Sequence, residues 1–235
     1  MTLVHVAAER NISSAMEKRL SSYIDHTILK PTTTIAEVKQ VCDEAKSYQF
    51  AAVCVPPLFV KKAREFLASS TVKVATVIGF PFGYSAIEAK VAEIVLAIVD
   101  GADELDMVIN ISAIKNNDWQ FLAKEINTIL PIIRQRRKVL KVIIESGILT
   151  DEEIIRCCDI YGAAGVDFMK TSTGYAQAGA SVHAVKLMRA HLSDAVKIKA
   201  SGGIKTYDFA LELIEAGADR LGCSSSVQIV SEVRS

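Results

Sequence analysis

Apolar runs of strand length alternate with helix-patterned stretches eight times along the 235 residues. No other feature of the sequence restricts the fold so strongly, because strict alternation means parallel strands joined by crossover helices. The expected strands are Tyr23–Thr27, Phe50–Val55, Val72–Ile78, Glu104–Ile109, Val139–Glu145, Val166–Lys170, Val196–Ala200 and Asp219–Cys223. Continuous apolar runs such as Phe50-Ala51-Ala52-Val53-Cys54-Val55 suit strands buried on both faces. Helices are expected over Ile35–Tyr48, from Pro57 through Leu67, Ala86–Asp100, Asp118–Arg137, Thr150 to about Gly162, Ser181–Leu192, Thr206–Ala216 and after Ser224-Ser225-Ser226. Thr34 with Glu37 has the form of a capping box, and Ile35, Val38, Val41, Cys42 and Ala45 share one face. Pro131 predicts a kink or boundary within its helix.

Eight such units at this length fit a closed barrel better than an open doubly wound sheet. The expected architecture is α/β, a single (β/α)8 TIM barrel over 1–235 with a short N-terminal helical extension over residues 1–20. The joints Gly101-Ala102-Asp103, Gly162-Ala163-Ala164-Gly165 and Gly217-Ala218-Asp219 resemble one another as helix-to-strand turns, and no low-complexity linker separates domains.

Half the residues are hydrophobic and the formal net charge is zero. This suits a large core and leaves no electrostatic footprint for nucleic acid. No apolar run reaches the roughly 20 residues of a membrane helix, and Met1–Arg10 lacks the pattern of a secretory signal. The five cysteines form no C-x-x-C pattern and the four histidines no metal spacing, so reduced cysteines, a cytoplasmic setting and no metal or other cofactor are expected.

In such a barrel, function sits at the C-terminal strand ends. That rule selects Asp25, Cys54, Asp106, Glu145, Lys170 and Lys199, with the loops after them. Two lysines in one site repel as cations, so one gives up its proton more easily. As a neutral amine it can attack a carbonyl and form an iminium, with Asp106 moving protons beside the remaining ammonium. The plainer alternatives are that Lys170 snorkels into water and that Asp106 only balances charge. Lys197 is expected at the opposite rim, Cys54 as a small wall residue near the mouth, and Phe80, Pro81, Phe82 and Tyr84 as loop core. After strands seven and eight, Gly202-Gly203 and Gly222 with Ser224-Ser225 offer backbone N–H groups where this fold usually holds phosphate, with Lys205 as a point charge.

Together, Phe168-Met169-Lys170-Thr171-Ser172-Thr173-Gly174, Asp103-Glu104-Leu105-Asp106-Met107-Val108 and Lys199-Ala200-Ser201-Gly202-Gly203-Ile204 resemble the deoxyribose-phosphate aldolase family. Asp25-His26-Thr27, Cys54-Val55, Gly79-Phe80-Pro81 and Gly222-Cys223-Ser224-Ser225 match in the same order, from Tyr23 to the final helix. The resemblance implies a metal-free class I aldolase. It would reversibly cleave 2-deoxy-D-ribose 5-phosphate to D-glyceraldehyde 3-phosphate and acetaldehyde, in deoxyribonucleotide catabolism, as a homodimer by analogy. It implies that Lys170 forms the Schiff base, Lys199 lowers its pKa and Asp106 transfers protons. Asp25, Thr27, Cys54 and Thr173 would support the lysines or the substrate, and Gly174, Gly202, Gly203, Gly222, Ser224 and Ser225 would hold the phosphate. Two positions depart from the family. Tyr175 stands where some members carry lysine, which bears on phosphate affinity. The sequence ends Val233-Arg234-Ser235 where some members carry a C-terminal tyrosine, which bears on enamine protonation. A sugar-phosphate isomerase on the same fold and a non-catalytic sugar-phosphate sensor are the competing readings.

Overall fold

The computed structural model describes residues 20–232; the expected helical lead-in falls almost wholly outside them. Eight strands close a barrel in sequence order: β1 (Ile24–Thr27), β2 (Ala52–Val55), β3 (Lys73–Ile78), β4 (Glu104–Val108), β5 (Val139–Ile143), β6 (Phe168–Lys170), β7 (Lys197–Ser201) and β8 (Arg220–Cys223). Every neighbouring pair is parallel, and β8 returns to β1 with Asp25 opposite Gly222. The helices are α1 (Ile35–Tyr48), α2 (Val60–Phe66), α3 (Ile87–Val99), α4 (Ile111–Lys115), α5 (Trp119–Gln135), α6 (Asp151–Ala164), α7 (Val182–His191), α8 (Tyr207–Glu215) and α9 (Ser226–Ser231).

Local chemistry explains most of the boundaries. Thr34–Glu37 and Thr150–Glu153 form reciprocal capping boxes that satisfy the first N–H groups of α1 and α6. Gly165, at φ +70°, ends α6, which therefore runs past Gly162 to Ala164. Pro131 neither ends nor divides α5. It stands on the exposed side, where the carbonyl it deprives of a partner can meet water, while Leu130 and Ile133 hold the helix against the barrel. The short α4, capped by Asn110, was not expected from the sequence. Ile35 is 53 % exposed rather than on the buried face, because it is the first residue of α1 and lies above the packed surface. Phe82 and Tyr84 are also exposed, and stack on each other at 5.5 Å instead of filling a loop core.

The apolar core has two separate parts. The larger lies between barrel and helices, and includes Val53, Val74, Leu105, Met107, Val142, Met169 and Ile198 with the inner faces of the helices. The smaller lies inside the barrel on β2 and β3 only: Ala52, Cys54, Ala75 and Val77, with Leu29 and Phe80 against them. Much of the rest of the interior is charged.

Candidate active site

Period-2 alternation turns the outward-facing residues of β4–β8 into core and leaves their neighbours inside the barrel. Those neighbours are Glu104 and Asp106 from β4, Lys141 from β5, Phe168 and Lys170 from β6, Lys197 and Lys199 from β7, and Arg220 from β8. Asp25 enters from β1. The ion pairs of β1 with β5 and β7, and of β4 with β7 and β8, join strands that are not neighbours and can form only across the interior. Lys141 Nζ lies 2.5 Å from Glu104 Oε2, 2.7 Å from Asp106 Oδ1 and 3.6 Å from Asp25 Oδ2. Lys199 pairs with Asp25 and donates to Asp106 Oδ2 at 2.7 Å. Arg220 donates to Asp25 Oδ1 at 2.6 Å and approaches Glu104 at 3.5 Å. Phe168 packs under this layer, with Lys141, Lys197 and Arg220 each within 6 Å of its ring centre.

Lys170 sits at the top of the stack and differs from the other cations. Its only carboxylate partner among the described residues is Asp106, with Nζ to Oδ2 at 2.8 Å. Lys199 shares that oxygen and has Asp25 as well, and Lys141 has three carboxylates. Burial, aided by the repulsion of Lys199, outweighs the attraction of Asp106 and leaves Lys170 below the ordinary lysine pKa. Burial also works against charge on Lys199 and Lys141, but Asp106, with Asp25 and Glu104, overcomes it and raises both. Burial would raise Asp25 and Asp106, but their cations outweigh it: Lys199, Lys141 and Arg220 hold Asp25 down, and Lys141, Lys170 and Lys199 hold Asp106 down. The ion pairs thus join the four cations Lys141, Lys170, Lys199 and Arg220 to the three carboxylates Asp25, Glu104 and Asp106. A neutral Lys170 makes that cluster neutral.

The loop after β6 is tied on both sides. Thr171 Oγ1 donates to Ser201 O at 3.2 Å and accepts from Ser201 N at 3.0 Å, and Ser201 Oγ donates to Ser172 O at 2.5 Å. Glu145, beyond the end of β5 at φ +55°, accepts from the Thr173 N–H at 3.2 Å and from its hydroxyl. Burial pushes the Glu145 carboxyl up. Tyr175 lies half-exposed, with its hydroxyl donating to Leu29 O at 2.8 Å and its ring edge-on to Phe80. Above Lys170 opens a cavity of about 590 Å³, bounded by the ends of β1, β6, β7 and β8 and by α1. A Cβ on Gly202, which stands at φ +88°, would lie 3.3 Å from the Gly174 Cα and 3.1 Å from the Gly179 Cα, so only glycine lets these loops close the cavity wall. Among the described residues, no group of three or more His, Cys, Asp or Glu side chains is placed to hold a metal ion.

A lowered-pKa lysine at the base of a cavity, beside a carboxylate shared with a second lysine, has the chemistry to act as a nucleophile with a proton relay behind it. Residues 19–230 match the model of the family described as DeoC/LacD family aldolase. The chain belongs to this aldolase family. It is 50 % identical over 217 residues to a deoxyribose-phosphate aldolase of Caldicellulosiruptor saccharolyticus, covering 92 % of this chain and 99 % of that one. It is 49 % identical over 213 residues to the enzyme of the same name from Clostridioides difficile, covering 91 % and 96 %. Among solved structures it is similar to an aldolase called QR15, with TM-score 0.85 and 41 % identity over 91 % of this chain and 95 % of that one. It is also similar to the deoxyribose phosphate aldolase from Aeropyrum pernix, described as tetrameric, with TM-score 0.88 and 29 % identity over 100 % and 99 %.

In this aldolase, Lys170, Thr27, Thr173, Gly174, Gly202, Gly203, Gly222, Ser224 and Ser225 line the cavity. Asp106, Lys199 and Asp25 lie beneath its floor, and reach it only through Lys170. Cys54 does not reach the cavity. It is fully buried in the small apolar cluster, and burial pushes its thiol up to about 11. Gly222 has a second duty: a Cβ there would stand 3.1 Å from Lys199 Cε, so the glycine is the shelf over which that lysine crosses. Lys205 is exposed and off the cavity, beyond the buried Ile204 that turns the chain away; Lys30 from the loop after β1 lines it instead. Lys197 is exposed at the far rim, as expected. The rule of strand ends missed Lys141, Glu104 and Arg220, which lie deeper. A lysine between Leu140 and Val142, in an otherwise apolar strand, was the available signal for the first.

Proposed function

We propose that this aldolase cleaves 2-deoxy-D-ribose 5-phosphate reversibly to D-glyceraldehyde 3-phosphate and acetaldehyde through a Schiff base on Lys170. The observation that carries the reading is Lys170 itself: buried, below its ordinary pKa, 2.8 Å from Asp106 and at the base of the cavity. The neutral amine adds to C1 of the open-chain sugar, and loss of water gives the iminium. The 3-hydroxyl loses its proton, the C2–C3 bond breaks, and its electrons flow to the iminium nitrogen. This releases glyceraldehyde 3-phosphate and leaves an enamine on Lys170. Protonation at C2 regenerates an iminium, and water frees acetaldehyde and the lysine.

Asp106 remains a carboxylate at neutral pH, so it holds no proton to give on its own. Its Oδ2 accepts from both Lys170 and Lys199, and the proton it relays comes from the Lys199 ammonium. Asp25 keeps Lys199 charged. The Gly174, Gly202–Gly203 and Gly222–Ser225 turns surround the end of the cavity suited to the phosphate. Family membership favours carbon–carbon cleavage over the isomerase and sensor alternatives.

We also propose that 1–235 acts as one domain, in the cytoplasm and as a homo-oligomer. All five cysteines are free and buried, and no described helix is long and apolar enough to cross a membrane. Light scattering that reads a monomer refutes self-association.

Borohydride trapping with acetaldehyde or deoxyribose 5-phosphate, read by peptide mass spectrometry, tests the mechanism. A reduced adduct on Lys170 is expected. An adduct on Lys199 exchanges the roles of the two lysines, and turnover with no adduct refutes covalent catalysis.

A further inference from the structure

His26 takes no part in the chemistry above. None of its hydrogen bonds goes to Lys170, Asp106 or Lys199, yet it is 3 % exposed with both ring nitrogens engaged. Nδ1 lies 2.9 Å from Ser226 Oγ, and Nε2 lies 2.6 Å from Glu44 Oε2. The Ser226 hydroxyl also lies 2.9 Å from Cys223 O, which it can reach as a donor. A carboxylate oxygen offers only lone pairs, so Nε2 serves as the donor toward Glu44. The other Glu44 oxygen accepts from Gln40 Nε2 at 2.8 Å. Phe50, with its ring centre 5.2 Å away, packs against the imidazole.

One ring thus joins β1, α1 and the start of α9. Ser224 and Ser225, immediately before Ser226, line the cavity, as do His26 itself, Gln40 and Glu44. The turn needs such a restraint: Ser225 precedes α9 without making a side-chain cap, and α9 itself has only six residues. We propose that His26 is a positioning residue for the phosphate end of the cavity. Its Nδ1 hydrogen bond with Ser226 sets the Cys223–Ser226 turn, and the Glu44 contact keeps the ring in place. The proposal rests on the reading that Ser224 and Ser225 face the substrate phosphate.

Steady-state kinetics with 2-deoxyribose 5-phosphate and with unphosphorylated 2-deoxyribose test it. His26→Gln keeps a partner for Glu44 and loses the bond to Ser226; Ser226→Ala removes the same bond from the other side. Each should raise KM for the phosphorylated sugar about tenfold, the worth of one hydrogen bond. Its kcat, and kcat/KM for the unphosphorylated sugar, should stay nearly constant. His26→Asn, whose side-chain amide can replace Nδ1 as the partner of Ser226, should restore KM. The double variant His26→Gln with Ser226→Ala should be no worse than either single one. Equal losses on both sugars, or an unchanged KM, overturn the positioning role, and Ser226→Ala decides the matter if His26→Gln does not fold. Wild-type protein with no preference for the phosphorylated sugar instead overturns the phosphate reading itself, and this inference with it.

Discussion

Replacing Lys170 by methionine should stabilise the protein while abolishing cleavage, and replacing Lys199 the same way should do the reverse to stability. The two lysines are both buried and share Asp106 Oδ2, so burial alone does not separate them. Their partners do. Removing Lys170 leaves Asp106 paired with Lys141 and Lys199, and removes a group whose charged form the fold disfavours. A gain of about 1–2 kcal/mol is expected, at the low end of the range for swapping buried charge for apolar volume. For a chain of this size that is roughly 2–8 °C in Tm. Removing Lys199 leaves Asp25 and Asp106 short of a cation in a dry interior, with a loss of about 3–5 kcal/mol. The sign of the pH dependence is fixed as well. Lys170 has its folded pKa below its unfolded value of about 10.4. Between those two values the unfolded chain holds a proton that the folded chain has released, so wild-type stability rises with pH there. The advantage of Lys170→Met is therefore full below the folded pKa of Lys170 and shrinks as pH climbs from there toward 10. Thermal melts of both variants across that range, with activity assays, make the measurement. A Lys170→Met protein destabilised as much as Lys199→Met would mean that Lys170 is a compensated structural cation, and the neutral nucleophile would be wrong.

Gly222→Ala should lower kcat at least tenfold and cost about 1–3 kcal/mol, since the new methyl would stand 2.9 Å from Ser201 Cβ and 3.1 Å from Lys199 Cε; unaltered kinetics would show that Lys199 has room to move. Asp106→Asn should reduce turnover by about a thousandfold or more and destabilise by about 3–5 kcal/mol, because Lys141 and Lys199 lose a shared anion; urea titration and steady-state rates read both effects. Asp25 and Asp106 have lowered folded pKa values, so their contribution is full above the unfolded value of about 3.9 and is lost as pH falls from there toward the folded values. Acid unfolding monitored by circular dichroism should begin below about pH 4, and a transition already complete at pH 5 would contradict the buried network.

The amino-acid order by itself determined the architecture. Eight apolar runs alternating with capped, amphipathic stretches leave few topologies, and the strand ends were legible because period-2 alternation and Gly, Pro and Thr punctuation are local properties. Lys170, Asp106 and Lys199 were legible as a group because they close three strands of a fold whose chemistry gathers at that rim. The pairing between them was not. Whether Lys170 or Lys199 gives up its proton depends on the number of carboxylates around each, and those carboxylates arrive from β1 and β4, far away in the chain. Lys141 looked like one polar residue in an apolar strand, and only the pairing of β4 with β5, which sets Asp106 opposite it, brings it within 3 Å of both Glu104 and Asp106. His26 likewise had no metal-like spacing to mark it; its partners Glu44 and Ser226 come from two helices, one of them 200 residues away. Local sequence sets backbone conformation and which face is apolar, but a charge takes its protonation state from whatever the closed barrel places around it, and that is a property of tertiary structure.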